Sequence, residues 1–290
     1  WTNRDAVRMT EIPASVVVIG GGPIGCEFAQ ILARFGARVT VVEALDRLVA
    51  GDEPEASSVL REAFAAEGIQ VLTGAKVDSV EHADGSFMLR VDGQEISAEK
   101  LLVAAGRRGN LADIGLDAVG LDPEARVLET DERMRAGQKV WAVGDITGKG
   151  AFTHVSMYQA AVVVRDILGE DGPWADYRAV ARVTFTEPEV ASVGLTEAQA
   201  REAGLAVATA TGDLGARGWL AKAQGVVKLV ADQDRGVLVG ATVVGPAGGE
   251  ILSMLVTAVH AEVPIATLRH MHFAYPTYHR AVEAVLDDLV

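Results

Sequence analysis

The chain has 290 residues, of which 49% are hydrophobic and 23% charged, so it can bury an ordinary globular core and its length suggests about two domains. The formal net charge of −14 argues against binding to nucleic acid or to an anionic membrane surface, and no apolar run is long enough to span a bilayer. Cys26, the single cysteine, rules out a disulfide within the chain and is expected to pack in a core.

The first predicted elements are a strand followed by a glycine-rich turn. Residues 16–19 form a β-branched run typical of a buried parallel strand, and Gly20, Gly22 and Gly25 follow in the G-x-G-x-x-G spacing. Gly20 allows the tight turn, Gly22 lets the backbone approach a pyrophosphate, and Gly25 lets the next helix lie close to the strand. A glycine-rich turn in an unrelated strand–helix–strand unit is the alternative.

A helix and a second strand complete this unit. Gly36 ends the helix, residues 39–42 form the strand, and Glu43 follows it, 18 residues beyond the last motif glycine. We expect the apolar face of the helix to consist of Ile24, Phe28, Ile31, Leu32 and Phe35. Glu43 can accept hydrogen bonds from adenosine ribose hydroxyls and would repel a 2′-phosphate, so NAD is favoured over NADP. Arg38 and Arg47 are nearby cations that could weaken this preference.

The remaining elements suggest an α/β first part and an α+β last part. Up to residue 110 the pattern predicts a helix at 52–67, a strand at 69–72, an antiparallel meander over 77–96 with turns at Asp84-Gly85 and Asp92-Gly93, and a strand at 100–105. It then predicts a loop at 116–130, a strand at 140–143 and a helix at 154–168. The last part carries strands at 183–185, 189–194, 226–230 and 237–244, and helices at 196–203, 250–261 and 280–289.

Four motifs occur in an order that one enzyme family shares. They are residues 20–27 (GGGPIGCE), 105–110 (AGRRGN), 140–145 (VWAVGD) preceded by Thr130, and 185–194 (FTEPEVASVG). Through them nearly the whole chain resembles the FAD-dependent pyridine nucleotide–disulfide oxidoreductases, the family of dihydrolipoamide dehydrogenase, glutathione reductase and mercuric reductase. Gly109 stands where the family has a proline.

The resemblance implies an α/β protein of three parts. These are a Rossmann-type NAD-binding domain with a parallel sheet at residues 1–112, a returning piece of an FAD-binding domain at 113–175, and an α+β dimerisation domain at 176–290. The family also has an FAD-binding half with its own glycine motif and a C-x4-C disulfide, ahead of the part that this chain matches. Because the chain opens on Trp1 without a signal-like segment, we expect a fragment of a longer cytoplasmic protein.

The resemblance also implies roles for five further residues. Asp145 would bind the ribityl hydroxyls of FAD, and the helix that starts near Thr153 and His154 would direct its amino end at the flavin, where negative charge accumulates on reduction. Gly106 would lie against a cofactor, and Glu27 matches the family's glutamate near the nicotinamide. The alternatives are an ordinary Gly-Asp turn for Asp145 and a surface or salt-bridged helix residue for Glu27.

The sequence departs from the family at two places. Pro23 stands where many members carry a tyrosine that covers the nicotinamide pocket, and Tyr275 and Arg280 replace the His and Glu of the H-P-T-x-x-E dyad. A phenol that titrates near pH 10 is a poor proton shuttle at neutral pH. The catalytic candidates are therefore Tyr275 and His279, although a single histidine in an aromatic segment is more often structural. Mercuric reductases place a tyrosine here but also end in a cysteine pair, and we expect no resident metal site.

Two functions remain open from the sequence. The first is an NAD(P)H-dependent flavoprotein oxidoreductase, with FAD and NAD as cofactors, that passes hydride from NADH to FAD and on to a disulfide, metal ion or quinone. The second is a non-catalytic nucleotide-binding and dimerisation fragment of such an enzyme. The expected partners are a second copy of the chain in a homodimer and a small-molecule or disulfide acceptor.

Overall fold

The computed structural model describes residues 1–289, which form two compact units. One consists of Trp1–Gly106 together with the described residues from Ala181 onward, and the other is Arg107–Val180. A parallel sheet and several antiparallel sheets confirm the α/β class. The division into three domains stays a prediction. No helix within residues 1–289 is long and apolar enough to cross a membrane.

The first 106 residues contain a parallel sheet and an antiparallel meander. The helices and strands are α1 Asn3–Ala6, β1 Ser15–Ile19, α2 Pro23–Arg34, β2 Arg38–Val42, α3 Pro54–Ala66, β3 Gln70–Leu72, β4 Val77–Ala83, β5 Ser86–Val91, β6 Gln94–Ala98 and β7 Lys100–Val103. The parallel sheet has the order β3-β2-β1-β7, and β4-β5-β6 form the meander with the predicted turns. Gly20, Glu43 and Ala104 directly follow β1, β2 and β7, so they meet at the carboxyl edge of the sheet, where open α/β sheets bind ligands.

Helix α2 buries only part of the predicted face, since Leu32 is fully buried and Phe28 packs against the core, but other members of the set are exposed. Ile31 is 43% exposed and Phe35 62% exposed, so they do not form a core face. The buried positions are Gly25, Cys26, Ala29, Gln30 and Leu32. Four of these five side chains are small or polar, and small side chains let the helix backbone lie close to β1 and β2. The apolar pattern was therefore an incomplete guide to this interface, because close packing here depends on small residues.

The unit Arg107–Val180 is built around one long helix. Its elements are β8 Arg135–Gly137, β9 Val140–Trp141, α4 Thr153–Leu168 and two 3₁₀ turns, Leu116–Val119 and Gly144–Thr147. The strand predicted at 140–143 ends at Trp141. Inside the unit, the Asp166 side chain is 1% exposed and accepts hydrogen bonds from Arg135, Arg133 and the Trp141 indole. This polar cluster joins α4 to β8 and β9.

The residues from Ala181 onward form a five-stranded antiparallel sheet with helices against it. Its elements are β10 Ala181–Thr184, β11 Glu189–Gly194, α5 Glu197–Glu202, β12 Val207–Gly212, α6 Gly215–Ala221, β13 Val226–Asp232, β14 Val237–Gly245, α7 Gly248–His260, α8 Ile265–Arg269 and α9 His279–Asp287. The strand order is β10-β11-β14-β13-β12. The predicted capping box is confirmed, since Thr196 accepts the Gln199 N–H at 3.2 Å and Gln199 Oε1 accepts the Thr196 N–H at 2.9 Å.

Candidate functional site

The glycine turn after β1 leaves space for a side chain at only one of its three motif positions. Gly20 has a φ of +109°, and a Cβ there would lie 2.5 Å from the carbonyl oxygen of Ala104. A Cβ at Gly25 would lie 1.9 Å from the carbonyl oxygen of Gly20, so the helix and turn could not approach each other as they do. Gly22 has no atom within 4 Å of a Cβ position, so its backbone faces open space. Gly106, with a φ of +119°, lies shortly after β7.

No side chain caps the free backbone N–H groups at the amino end of α2. Gly22 is the N-cap residue and makes no side-chain capping bond, while Pro23 occupies the first turn without an N–H. Uncapped first-turn N–H groups and the positive end of the helix dipole favour a negatively charged ligand. The turn and helix start therefore fit a pyrophosphate.

Glu43 lies at the carboxyl end of β2 and contacts this turn directly. Its Oε2 accepts a hydrogen bond from the Gly21 N–H at 2.5 Å, and its Oε1 accepts one from the Leu45 N–H at 2.7 Å. The side chain is partly exposed, so its remaining lone pairs can accept from ligand hydroxyls. The structure thus brings the predicted ribose-binding acid and the glycine turn together.

Of the two cations that could weaken the preference for NAD, Arg38 lies far from Glu43 along β2 and Arg47 is bonded within its own loop. Arg38 begins β2 and Glu43 follows its end, which separates their Cα atoms by roughly 13 to 17 Å along the strand. The Arg47 guanidinium donates to the carbonyl oxygen of Ala50 at 2.8 Å and pairs with Asp46 at 3.3 Å. The Arg47 guanidinium is thus bonded within its own loop.

One face of α2 binds the turn that joins β10 to β11. Glu27 Oε1 accepts the Phe185 N–H at 2.8 Å, and Gln30 makes two hydrogen bonds to the backbone of Glu187. Arg34 pairs with the Glu187 carboxylate at 2.6 Å. Glu27 therefore anchors this turn through one oxygen, which agrees with neither a free surface residue nor a simple ion pair. These residues line a cavity of about 290 Å³.

In the unit Arg107–Val180, Asp145 lies in the 3₁₀ turn that precedes α4. Its Oδ2 accepts a hydrogen bond from Arg107 at 2.9 Å, and about half of its side chain is exposed. Thr153 is the first residue of α4, and the ring of His154 stacks on Phe152 with centroids 5.2 Å apart. The helix start has no side-chain cap, so both the half-exposed carboxylate and the uncapped amino end fit polar groups of a ligand.

Of the two catalytic candidates near the carboxyl terminus, Tyr275 lines a cavity and His279 does not. Tyr275 is 70% exposed, and the guanidinium of Arg280 lies 5.7 Å from its ring centroid. Arg280 also pairs with Glu283 at 2.7 Å. Both Tyr275 and Arg280 line a cavity of about 510 Å³, whereas His279, the first residue of α9, is not among the lining residues.

The sequence reading missed a buried cluster of charged residues around Lys228. Its Nζ lies 3.0 Å from Glu53, 2.9 Å from Glu55 and 3.0 Å from Glu197. The sequence feature that could have revealed this cluster is a lysine in the middle of the apolar run of β13. Its partners could not be identified, because Glu53 lies 175 residues earlier in the chain.

Cys26 is fully buried in α2 beside the glycine turn. Its Sγ lies 3.2 Å from the carbonyl oxygen of Gly21, and burial, with a smaller contribution from the nearby Glu43 and Glu27, raises the pKa of the thiol. The predicted core packing is confirmed. Within residues 1–289 no group of three or more His, Cys, Asp or Glu side chains is arranged to hold a metal ion.

Two family models match nearly the whole chain. The model described as pyridine nucleotide-disulphide oxidoreductase covers residues 1–160, and that family's dimerisation domain covers residues 180–285. Among curated proteins, the dihydrolipoyl dehydrogenases of Mycobacterium leprae and Chlamydia muridarum are 36% and 34% identical over 100% and 93% of the chain. The chain spans only 64% and 59% of these two relatives.

Solved structures agree with these matches. LpdA from Mycobacterium tuberculosis superposes with a TM-score of 0.90 at 27% identity, over 100% of this chain and 64% of that one. The HOCl-induced flavoprotein disulfide reductase RclA from Escherichia coli gives a TM-score of 0.87 at 26% identity, over 100% of this chain and 67% of that one.

Proposed function

Because the chain belongs to the pyridine nucleotide-disulphide oxidoreductase family, we propose that it is the nucleotide-binding and dimerisation part of a flavoprotein oxidoreductase that uses NADH and FAD. The observation that carries the proposal is the contact of Glu43 with the glycine turn, at the carboxyl edge of a parallel sheet. The chain spans about 60% of the length of these curated relatives.

The nucleotide site consists of the turn, the start of α2 and Glu43. Gly22 and the first-turn N–H groups of α2 bind the pyrophosphate, and Glu43 accepts hydrogen bonds from the adenosine ribose hydroxyls. Glu43 disfavours a 2′-phosphate, and Arg47 is bonded to its own loop, so NADH is preferred to NADPH. Glu27 keeps one carboxylate oxygen for the nicotinamide side of the site while the other anchors Phe185.

Residues of the unit Arg107–Val180 serve the flavin. Asp145 accepts hydrogen bonds from the ribityl hydroxyls, and the amino end of α4, at Thr153 and His154, offers N–H groups and a positive dipole to negative charge on the ring. Gly106 lets the backbone lie against a cofactor. With both cofactors bound, the nicotinamide would provide a hydride and the flavin would provide a two-electron acceptor that can be reoxidised.

The acceptor belongs to one of three classes: a disulfide, a metal ion or a quinone. Tyr275 and Arg280 occupy the positions of the acid–base dyad in this family's disulfide reducers. A phenol beside a guanidinium does not supply a neutral-pH base, and His279 is not among the residues that line the cavity with Tyr275. Disulfide reduction would therefore need a proton carrier other than Tyr275, as would reduction of a quinone to a quinol, whereas electron transfer to a metal ion would not.

A non-catalytic role for this length of chain is the second candidate. It is favoured by the share of the relatives that the chain spans, since part of the flavin site would lie in the rest of the protein. The visible absorption spectrum of the purified chain distinguishes the two. Flavin absorbance that bleaches on addition of NADH supports catalysis by these residues, and a colourless protein that still binds NADH supports the binding module.

A further inference from the structure

The loop of residues 43–53 links the nucleotide site to the five-stranded sheet of β10–β14, which we call the C-terminal sheet. It begins at Glu43, which accepts the Gly21 N–H. In the middle of the loop, the Val49 N–H donates to the carbonyl oxygen of Gly21 at 2.8 Å, and the side chain of Leu48 lies against Gly21. The loop ends at Glu53, the N-cap residue of α3. Its beginning and middle are therefore bonded to the same glycine of the turn.

The end of this loop is attached to the C-terminal sheet through Lys228. The lysine is 4% exposed, and its ammonium contacts Glu53 at the loop end, Glu55 in the first turn of α3 and Glu197 from α5. Glu53 also accepts the backbone N–H of Glu197 at 2.6 Å, so one carboxylate bridges the ammonium and the amino end of α5.

Lys228 is the charge that lets these carboxylates share one buried space. Burial by itself would lower the pKa of Lys228, but hydrogen bonds to Glu55, Glu197 and Glu53 outweigh it and hold the pKa above its usual range. Three carboxylates face the ammonium, and the Arg201 guanidinium also pairs with Glu197 at 2.9 Å, so the cluster is negative even with both cations present. Without the ammonium, like charges would repel each other in a poorly solvated site and the loop end would separate from α5.

A second contact supports the same attachment. The Ser192 hydroxyl donates to Asp52, and the Arg182 guanidinium donates to the Ser192 oxygen at 3.1 Å. Two consecutive loop residues, Asp52 and Glu53, are therefore bound to groups of the C-terminal sheet and α5. The loop between this end and Glu43 is short, and it is bonded to Gly21 at its middle, to Ser57 through the Leu48 carbonyl and to Gly74 through the Leu45 carbonyl. A displacement of its end would therefore reach Gly21 and Glu43 within a few residues.

We propose that Lys228 is a positioning residue for dinucleotide binding, which acts through the loop of residues 43–53 on Glu43 and the glycine turn. The inference rests on the proposed function, because it assumes that Glu43 binds the adenosine ribose. Lys228 itself touches no part of the nucleotide. The C-terminal sheet thus takes part in the nucleotide site from a distance, through one buried charge.

The test is a double-mutant cycle on the 290-residue chain, with ADP-ribose as the probe and its dissociation constant measured by titration calorimetry. Lys228→Met should weaken binding about tenfold, an ordinary size for coupling between two sites, and Lys228→Arg should retain most of the affinity. In a Glu43→Ala background, the effect of Lys228→Met should be clearly smaller, because the loop then no longer positions the Glu43 carboxylate. Lys100→Met, at the amino end of β7, is the matched control for loss of one positive charge and should change nothing.

If Lys228→Met does not fold, Glu53→Gln is the equivalent test. The ammonium and the Glu197 N–H bind different oxygens of Glu53, and glutamine would set an NH2 donor against one of them, so ADP-ribose affinity should fall here too, and fall less in the Glu43→Ala background. Equal effects in both backgrounds would overturn the inference, as would unchanged affinity in Lys228→Met or Glu53→Gln while Glu43→Ala weakens binding. A wild-type chain that does not bind ADP-ribose would overturn the proposed function as well.

Discussion

The side-chain amide of Gln30 pairs with both backbone groups of Glu187. Its Oε1 accepts the Glu187 N–H at 2.7 Å, and its Nε2 donates to the Glu187 carbonyl at 2.8 Å. The pair lies between α2, which begins at the glycine turn, and the first turn of the C-terminal sheet. A helix residue thus supplies the hydrogen bonds that a neighbouring strand would otherwise provide.

Replacement of Gln30 should destabilise this part of the chain. Gln30 is 3% exposed, and Gln30→Leu would remove both of its hydrogen bonds to the part-buried backbone of Glu187, at a cost of about 1 to 3 kcal/mol in the free energy of unfolding. Gln30→Glu keeps the acceptor for the Glu187 N–H but sets a carboxylate against Glu67 and the Glu187 carbonyl, both of which accept from Gln30 Nε2 at 2.8 Å, so it should not restore the stability. Urea denaturation measures both, with Gln70→Leu, at the exposed start of β3, as the surface control. A Gln30→Leu variant as stable as wild type would show that the pairing contributes nothing.

Cys26 should be unreactive in the folded protein. Burial, together with the charges of Glu43 and Glu27, raises the pKa of its thiol, so almost no thiolate exists at pH 8. Ellman's reagent at pH 8 should modify the thiol only after denaturant is added, when one equivalent should react. Modification of the native chain at the rate of an exposed thiol would contradict the packing of α2 against the sheet.

Asp166 should stabilise the unit Arg107–Val180 at neutral pH and lose that effect in acid. Hydrogen bonds from Arg135 first, then Trp141 and Arg133, hold the pKa of Asp166 well below its ordinary value. Because the folded-state pKa is depressed, the stabilisation is fully present above the unfolded pKa of about 3.9 and is lost as the pH falls through the lower folded value.

The corresponding variant is Asp166→Asn, compared with Asp171→Asn at an exposed position. Thermal unfolding at pH 7 should show a lower midpoint for Asp166→Asn than for wild type, and this difference should shrink as the pH is lowered below about 4. A difference that is constant down to pH 2 would mean that ionisation of Asp166 is not its source.

The chain should form a homodimer through the residues that match the dimerisation domain, 180–285. Sedimentation velocity at micromolar concentration should give about twice the mass of 30.4 kDa for one chain. A monomer under these conditions would count against a dimer formed by these residues alone.

Features that depend on neighbouring residues could be predicted, and features that depend on distant ones could not. The glycine turn, Glu43 and the Thr196 capping box are local patterns, and the structure has them where the sequence placed them. The buried face of α2 was mispredicted in part, because apolar periodicity does not register small residues such as Gly25 and Ala29. Strand β12 was missed, since its alternation of Ala and Thr carries little apolar signal.

The charged contacts between sequence-distant segments were beyond prediction. Glu27 lies 158 residues from Phe185, and Lys228 lies 175 residues from Glu53. No local periodicity connects such pairs. Glu43 was predicted as a ligand-binding residue, and its two hydrogen bonds to Gly21 and Leu45 give it a structural role as well. Removal of Glu43 should therefore also cost about 1 to 2 kcal/mol of stability.

The most direct test of the account is a comparison of ADP-ribose with 2′-phospho-ADP-ribose as ligands of the wild-type chain and of Glu43→Ala. A ratio of two affinities cancels most of the general effect of the substitution on the fold. The wild-type chain should bind ADP-ribose at least about tenfold more tightly, and Glu43→Ala should bring the two affinities close together. A wild-type chain that binds neither ligand, or an affinity ratio that Glu43→Ala leaves unchanged, would contradict the assignment of this site.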